Sequence, residues 1–496
     1  MKLEIEFRSK VKQMKAYTYA LTLIEWDSNT EAPRNAFKRR AEMAGVLSKE
    51  LFALKTSKAY QEVVNQLYAQ RDQLDDLLKR EVKKAKKDLD KVINIPEEEF
   101  VAYHQLLTES QLVWEDAMKE NDYASFKPKL EKIIDYTRKF ALYYDPNTDP
   151  YDTLLDEFEE GMTTKEYDEF FSVLKRDLVP FVKEMIQTST DDYRELRLNH
   201  FSEAGQKAFT EYLMDELKFN RNSGLVKQSV HPFTWNTSPE DVRFTTKYLE
   251  DYVFSSIYST VHELGHATYE QQIDTRFDDT LLSGGVSMGI HESQSRFFEN
   301  HIGRSEAFWE THFETFSTIF PKQSKGYIPR DFYKACNFVE ASLIRIEADE
   351  LTYPIHIMLR YDIERMLFNG DITVDELPRV WNDLIEEYLG VRPENDREGV
   401  LQDVHWSGGM FGYFPTYALG SAYAAQIDTA MRREVDVDAL IKERRFGEIN
   451  QWLEEKIHRF GASKTPKELL INATNESFNP TYYVNYLKNK FSKIKN

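Results

Sequence analysis

The residues best equipped for chemistry lie in Val261-His262-Glu263-Leu264-Gly265-His266-Ala267, which carries the spacing His-Glu-x-x-His. On a helix His262 and His266 stand one turn apart, about 6 Å along the axis, so both imidazoles leave the same face. Two ring nitrogens so placed reach one tetrahedral zinc ion. Glu263 is too close in sequence to ligate easily, but it is well placed to accept a proton from water activated by the metal. A site of this kind needs a third protein ligand and one open position. Glu292, in Gly289-Ile290-His291-Glu292-Ser293-Gln294, is the expected third ligand, because the glycine-rich stretch Leu281 to Gly289 delivers it. Glu299, two turns further along the same face, fits the spacing equally and is expected at the surface or behind the ligands.

With 11 His and 84 Asp plus Glu in 496 residues, the pentapeptide arises by chance about 0.04 times, even with Asp counted as Glu. The competing reading is two structural histidines and a solvated glutamate. The context argues against it. Between Leu249 and Gln272, apolar residues recur at Val253, Phe254, Ile257, Tyr258, Val261 and Leu264, without proline. That spacing predicts a helix with a buried stripe, and the motif lies inside it.

Two further stretches could act on a substrate. Arg345 lies in Leu343-Ile344-Arg345-Ile346-Glu347-Ala348-Asp349, expected on a helix from about Tyr333 to Tyr353. It either pairs with Asp349 at i+4 or offers its guanidinium bidentately to a substrate carboxylate. Gly399 to Trp406 and Gly412 to Tyr417 are rich in glycine and aromatics. There His405, Tyr413 and Tyr417 could donate hydrogen bonds to an oxyanion, or form a structural aromatic turn.

The elements that must position these groups are largely helical. A helix is expected up to Trp26, with a break at Asp27 to Thr30, and Pro33 begins the next helix. Residues 58–92 read as a long amphipathic hairpin arm with a solvated charged face. Asn94 to Glu99 is a helix start, and helices continue from 151 to 218 after a break at Asp145 to Pro150. From Asn220 to Thr246 the helical period is lost, which predicts a β-ribbon just before the motif helix.

Composition narrows the class. Hydrophobic residues make up 41% and aromatics 14%, ample for a large core, and the formal charge is −20. That charge argues against nucleic acid or an anionic membrane as main partner. The single Cys336 forms no internal disulfide and is expected as a small core residue, in keeping with a reducing, cytoplasmic setting. Charges interrupt Met1 to Phe7, so no signal peptide is expected, and no run of about 18 apolar residues appears.

Six motifs in order resemble those of the carboxypeptidase Taq family of metallocarboxypeptidases. They are His231-Pro232-Phe233; Asp241-x-Arg243-x-Thr245; His262-Glu263-x-x-His266; His291-Glu292-Ser293-Gln294; Ile344-Arg345-x-x-Ala348-Asp349; and Gly399-x-x-Gln402-Asp403-x-His405-Trp406. The Trp26-Asp27 region and Pro150 to Asp156 also look family-like, so the resemblance spans essentially the whole chain. It implies an all-α fold, relieved by the small β-ribbon, in which two halves enclose a deep groove like that of neurolysin and angiotensin-converting enzyme. The whole chain, 1–496, would be one catalytic domain: an N-terminal helical part to about 219, a catalytic core 220–420, and C-terminal helices 421–496. The resemblance also implies a homodimer and removal of single residues from peptide C-termini. Arg345 becomes the leading candidate to hold the free carboxylate, with Arg243 second and His231 a further substrate-binding candidate. The cofactor expected is Zn2+, with Co2+ or Mn2+ as substitutes. The rivals are an oligopeptidase or dipeptidyl carboxypeptidase of the same chemistry, and a non-catalytic helical binding protein.

Overall fold

The computed structural model describes residues 2–495, and helices dominate it from end to end. The first helix, Lys2–Thr30, runs through the expected break, four residues past Trp26. In the polar run Asp27 to Thr30 the Ser28 and Thr30 hydroxyls and the Asn29 amide bond back to carbonyls four residues earlier, so these side chains are satisfied within the helix. Residues 58–92 form the expected hairpin, Lys58–Ala69 followed by Asp76–Ile93, with Ser57 and Asp75 as N-caps. It is not a free arm. Tyr60, Val63, Val64, Leu78, Val82 and Leu89 pack against Phe7, Val11 and Met14 of the first helix in a small core of their own. Glu81 is fully buried there. It pairs with Arg8 and accepts the Leu281 amide, which ties this N-terminal layer to the glycine-rich stretch.

A second, much larger apolar core runs from Leu106 to Phe491. At its centre lies helix Val253–Gln271, buried on nearly every side. Small and hydroxylated residues let it be enclosed: Thr260 bonds Thr210 and Thr246, and Ser256 bonds its own helix backbone. The expected ribbon is a three-stranded sheet in the order β1-β3-β2, with β1 Gly224–Gln228, β2 Thr234–Ser238 and β3 Asp241–Thr246. β1 is parallel and β2 antiparallel to β3, and Arg243 faces Leu225 on one side and Trp235 on the other. Val242 and Phe244 point into the core, so β3 lies against the motif helix.

Helix Met288–Arg296 crosses that helix at unusually close range. A Cβ at Gly265 would sit 2.5 Å from the Gln294 carbonyl oxygen and 2.6 Å from Ser295 Cα. Only glycine allows the two backbones to approach so far. The helix continues into a π-helical turn, Phe297–Gly303, which carries Glu299. No helix among the described residues is long and apolar enough to cross a membrane.

Gly265→Ala is therefore expected to lower the melting temperature, as overpacking by about 1–3 kcal/mol does. Gly45→Ala is the control: the added Cβ meets nothing within 4 Å, so on helix Phe37–Thr56 it should raise stability by about 0.5–1 kcal/mol. Equal effects in thermal unfolding would refute the packing argument.

Candidate active site

His262 and His266 project from one face of helix Val253–Gln271, with ring centroids 4.9 Å apart. Glu292 faces both: its Oε2 lies 3.6 Å from Nε2 of His262 and 3.6 Å from Nε2 of His266. Three ligand atoms about 2.0–2.1 Å from a tetrahedral centre are separated by about 3.3 Å, so the cluster fits a small divalent ion. These are the three side chains that could hold such an ion together among the described residues. Two imidazoles and a carboxylate suit zinc and its neighbours.

The electrostatics around the cluster also favour a cation. Burial works against ionisation of Glu292, but Arg296 and His262 outweigh it and hold the carboxyl below the usual range. Glu299 is likewise held low, against burial, by Arg296, His262 and Arg304. Burial pushes His266 down to about 3, so that ring is neutral, as a ligand must be. Burial also opposes charge on His262, yet Glu292 and Glu299 raise it.

Glu299 is not at the surface. The π-helical turn brings its Oε2 2.9 Å from Nδ1 of His262, and Arg296 and Arg304 donate to its two oxygens. On the other side, Nδ1 of His266 lies 2.6 Å from Nδ1 of His291. Glu263 is 5% exposed. Its Oε2 accepts a 2.6 Å hydrogen bond from Thr234 on β2, and burial raises its pKa above the ordinary carboxylate value.

Arg345 departs from expectation. Residues 337–352 do not continue helix Pro329–Cys336; Arg345 opens a short 3-10 turn, Arg345–Glu347, and the next helix is Tyr353–Asn369. The cause is Asp349, whose carboxylate accepts from the amides of Glu340, Leu351 and Thr352 and from the Thr352 hydroxyl. A side chain that serves so many backbone groups competes with helix formation and has none left for Arg345. Arg345 instead donates through Nε to Oδ1 of Asp403 at 2.9 Å, while fully buried Arg360 donates to Oδ2 at 2.6 Å. Gln402 accepts from the Arg345 amide and from Nη2 of Arg360.

Two buried arginines thus share one carboxylate. The neighbouring histidines do not change the balance: burial, with Arg360 and Arg345, pushes His356 down to about 3. Burial and the two arginines likewise bring His405 to about 4, despite Asp403. The cluster is left with surplus positive charge, two guanidinium groups to one carboxylate. His405, Tyr413 and Tyr417 close it: His405 stacks on Tyr413 at 5.6 Å, and its Nε2 is 3.5 Å from the Tyr417 hydroxyl. The turn that holds them is pinned by Glu364, which accepts from Tyr151, Trp406 and the Gly412 amide. Arg296 joins the two clusters. It donates to Glu292 at 2.7 Å and sits 4.7 Å over the Tyr353 ring, whose hydroxyl accepts from Arg345.

Arg243 and His231 lie elsewhere. Arg243 on β3 makes two bonds to Asp241 and faces Trp26 of the first helix. His231 is exposed in the loop between β1 and β2. Two cavities open on either side of the 281–287 stretch. One, about 650 Å3, is lined by Lys15, Asn236 and Gly284; the other, about 550 Å3, by Lys87, Phe158, Ser287 and His291. Spacing alone signalled neither Arg296 nor Asp403 nor Arg360. Glu270, four residues after His266, was within reach of the helical period.

The model of the carboxypeptidase Taq (M32) metallopeptidases matches residues 6–491. Carboxypeptidase 1 of Bacillus subtilis is 41% identical over 492 residues, covering 99% of this chain and 98% of that protein. Among solved structures, the M32 carboxypeptidase of Deinococcus radiodurans superposes with a TM-score of 0.96 at 32% identity, with both chains fully covered. Metallocarboxypeptidase 1 of Trypanosoma cruzi gives 0.92 at 35% identity, with 99% of each chain covered.

Asp403→Ala should cost about 3–5 kcal/mol of stability, because it strands two buried guanidinium groups. A melting temperature equal to wild type would show that the arginines are not held by this carboxylate.

Proposed function

The chain belongs to the carboxypeptidase Taq (M32) metallopeptidase family and is a metallocarboxypeptidase, and from that premise we propose that it removes single residues from free peptide C-termini. His262, His266 and Glu292 would hold the metal, and zinc is the ion we assign, with cobalt or manganese as substitutes. When bound, such an ion polarises a scissile carbonyl and makes water more acidic. Glu263 takes a proton from the attacking water onto its carboxylate and hands it to the departing amine nitrogen. Thr234 holds that carboxylate at Oε2, leaving Oε1 to receive the proton. One of His405, Tyr413 and Tyr417 would donate to the developing oxyanion.

The observation that carries the exopeptidase reading is the surplus positive charge of Arg345 and Arg360 over Asp403, linked to the ligand cluster through Tyr353 and Arg296. A free C-terminal carboxylate neutralises it; an internal peptide group does not. Arg345 is the more exposed of the two arginines and is the proposed anchor, with Arg243 the second candidate and His231 a further substrate-binding residue. The chain acts as one catalytic domain. The homodimer rests on the family, and the cytoplasmic setting on a single thiol and no possible internal disulfide.

Glu263→Gln should leave one metal per chain while nearly abolishing turnover; retained turnover would remove Glu263 as the base. Arg345→Ala should lower kcat/KM for a free-acid peptide by about 10–100-fold, the worth of a charge-assisted bond, and leave little preference over the matching amide. Unchanged preference would remove Arg345 as the anchor. Losses of two residues or internal cuts in a mass-spectrometric ladder would favour the dipeptidyl or oligopeptidase reading.

A further inference from the structure

His291 directly precedes Glu292 in sequence, yet its ring turns to the other ligand. Nδ1 lies 2.6 Å from Nδ1 of His266, and Nε2 lies 2.8 Å from Oε1 of Glu270. Two ring nitrogens this close must share one proton between them. His266 presents Nε2 to Glu292, so as a neutral ligand through that atom it carries its proton on Nδ1. It then donates to a bare Nδ1 of His291. The proton of His291 is thereby placed on Nε2, where Glu270 accepts it.

Glu270 is built to be an acceptor only. It is 4% exposed, and it receives the Gly285 amide at 2.9 Å on Oε1 and the Asn236 side-chain amide at 2.6 Å on Oε2. The seat of His291 is equally specific. A Cβ at Gly285 would lie 2.5 Å from Cδ2 of His291 and 2.9 Å from Cε1 of Tyr269. His262 uses a different device, a direct carboxylate from Glu299.

We propose that Glu270 and His291 are positioning residues that act through His266, fixing the tautomer in which its Nε2 is free for the metal. This rests on the reading that His262, His266 and Glu292 are the ligands. A ring nitrogen oriented by a carboxylate through a second imidazole is held in one proton order, and reversing that order puts a proton where the metal must bind.

The test is the metal dissociation constant, measured by chelator competition on the full chain, together with the visible spectrum of the cobalt(II)-loaded protein. Glu270→Gln keeps an oxygen under the Gly285 amide but removes the carboxylate charge that holds the proton on Nε2 of His291, and His291→Leu removes the relay. Each should weaken metal binding about 10–100-fold and alter the cobalt spectrum. His291→Gln, whose carbonyl can still accept from Nδ1 of His266, should recover part of the loss. The melting temperature of the metal-free Glu270→Gln protein should match wild type. Where His291→Leu fails to fold, Asn236→Ala loosens the Glu270 carboxylate without touching either histidine and should weaken binding in the same direction. His266→Ala separates the two layers of the argument. If it binds metal as wild type does, the ligand reading itself fails. If it loses metal while Glu270→Gln and Asn236→Ala bind as wild type, the positioning role is overturned. A lowered metal-free melting temperature with an unchanged dissociation constant also overturns it.

Discussion

Carboxylates buried in one helical core cannot all stay ionised without positive charge to answer them, since desolvation costs several kcal/mol for each. Glu263, Glu270, Glu292 and Glu299 are each 8% exposed or less, and all stand around two histidines. Arg296 and Arg304 answer Glu292 and Glu299. What remains is a cluster in which Oε2 of Glu292 lies 3.6 Å from Nε2 of each histidine, where the field is negative and a cation is stabilised. Glu263, whose pKa burial raises above the ordinary carboxylate range, is the carboxylate best suited to carry a proton.

The rest of the architecture keeps those charges in register. The Gly265 contact lets the two ligand-bearing helices touch, and the π-helical turn aims Glu299 at the back of His262. The sheet supplies Thr234 to Glu263 and Asn236 to Glu270. The N-terminal helices reach the same centre through Glu81 and the Leu281 amide. At the far end of the Arg296–Tyr353 link the balance reverses sign, with two arginines over one aspartate. On the proposed reading, a peptide that brings a carboxylate to one end and a carbonyl to the other would meet complementary fields at both.

Much of this was legible in the sequence. The i, i+4 spacing of His262 and His266 and the buried stripe on their helix are local properties, as are the glycine-rich delivery of Glu292 and the loss of helical period before the motif. What was not legible depends on long-range partners. Leu343 to Asp349 has a helical pattern, yet Asp349 is consumed by backbone amides and Arg345 finds Asp403, 58 residues away. Glu299 has the spacing of either a ligand or a surface residue; only a turn wider than an α-helix sends it to Nδ1 of His262. The 2.6 Å contact of the His266 ring with His291 is one that no spacing rule contains.

The most direct measurement is to strip the enzyme of metal, return zinc in sub-stoichiometric steps, and follow both bound metal per chain and the products from a free-acid peptide. The account predicts that trimming returns in proportion to zinc, saturates at one ion per chain, and proceeds by loss of one residue at a time. Activity that survives complete metal removal, or that saturates with no ion bound to the chain, would contradict it.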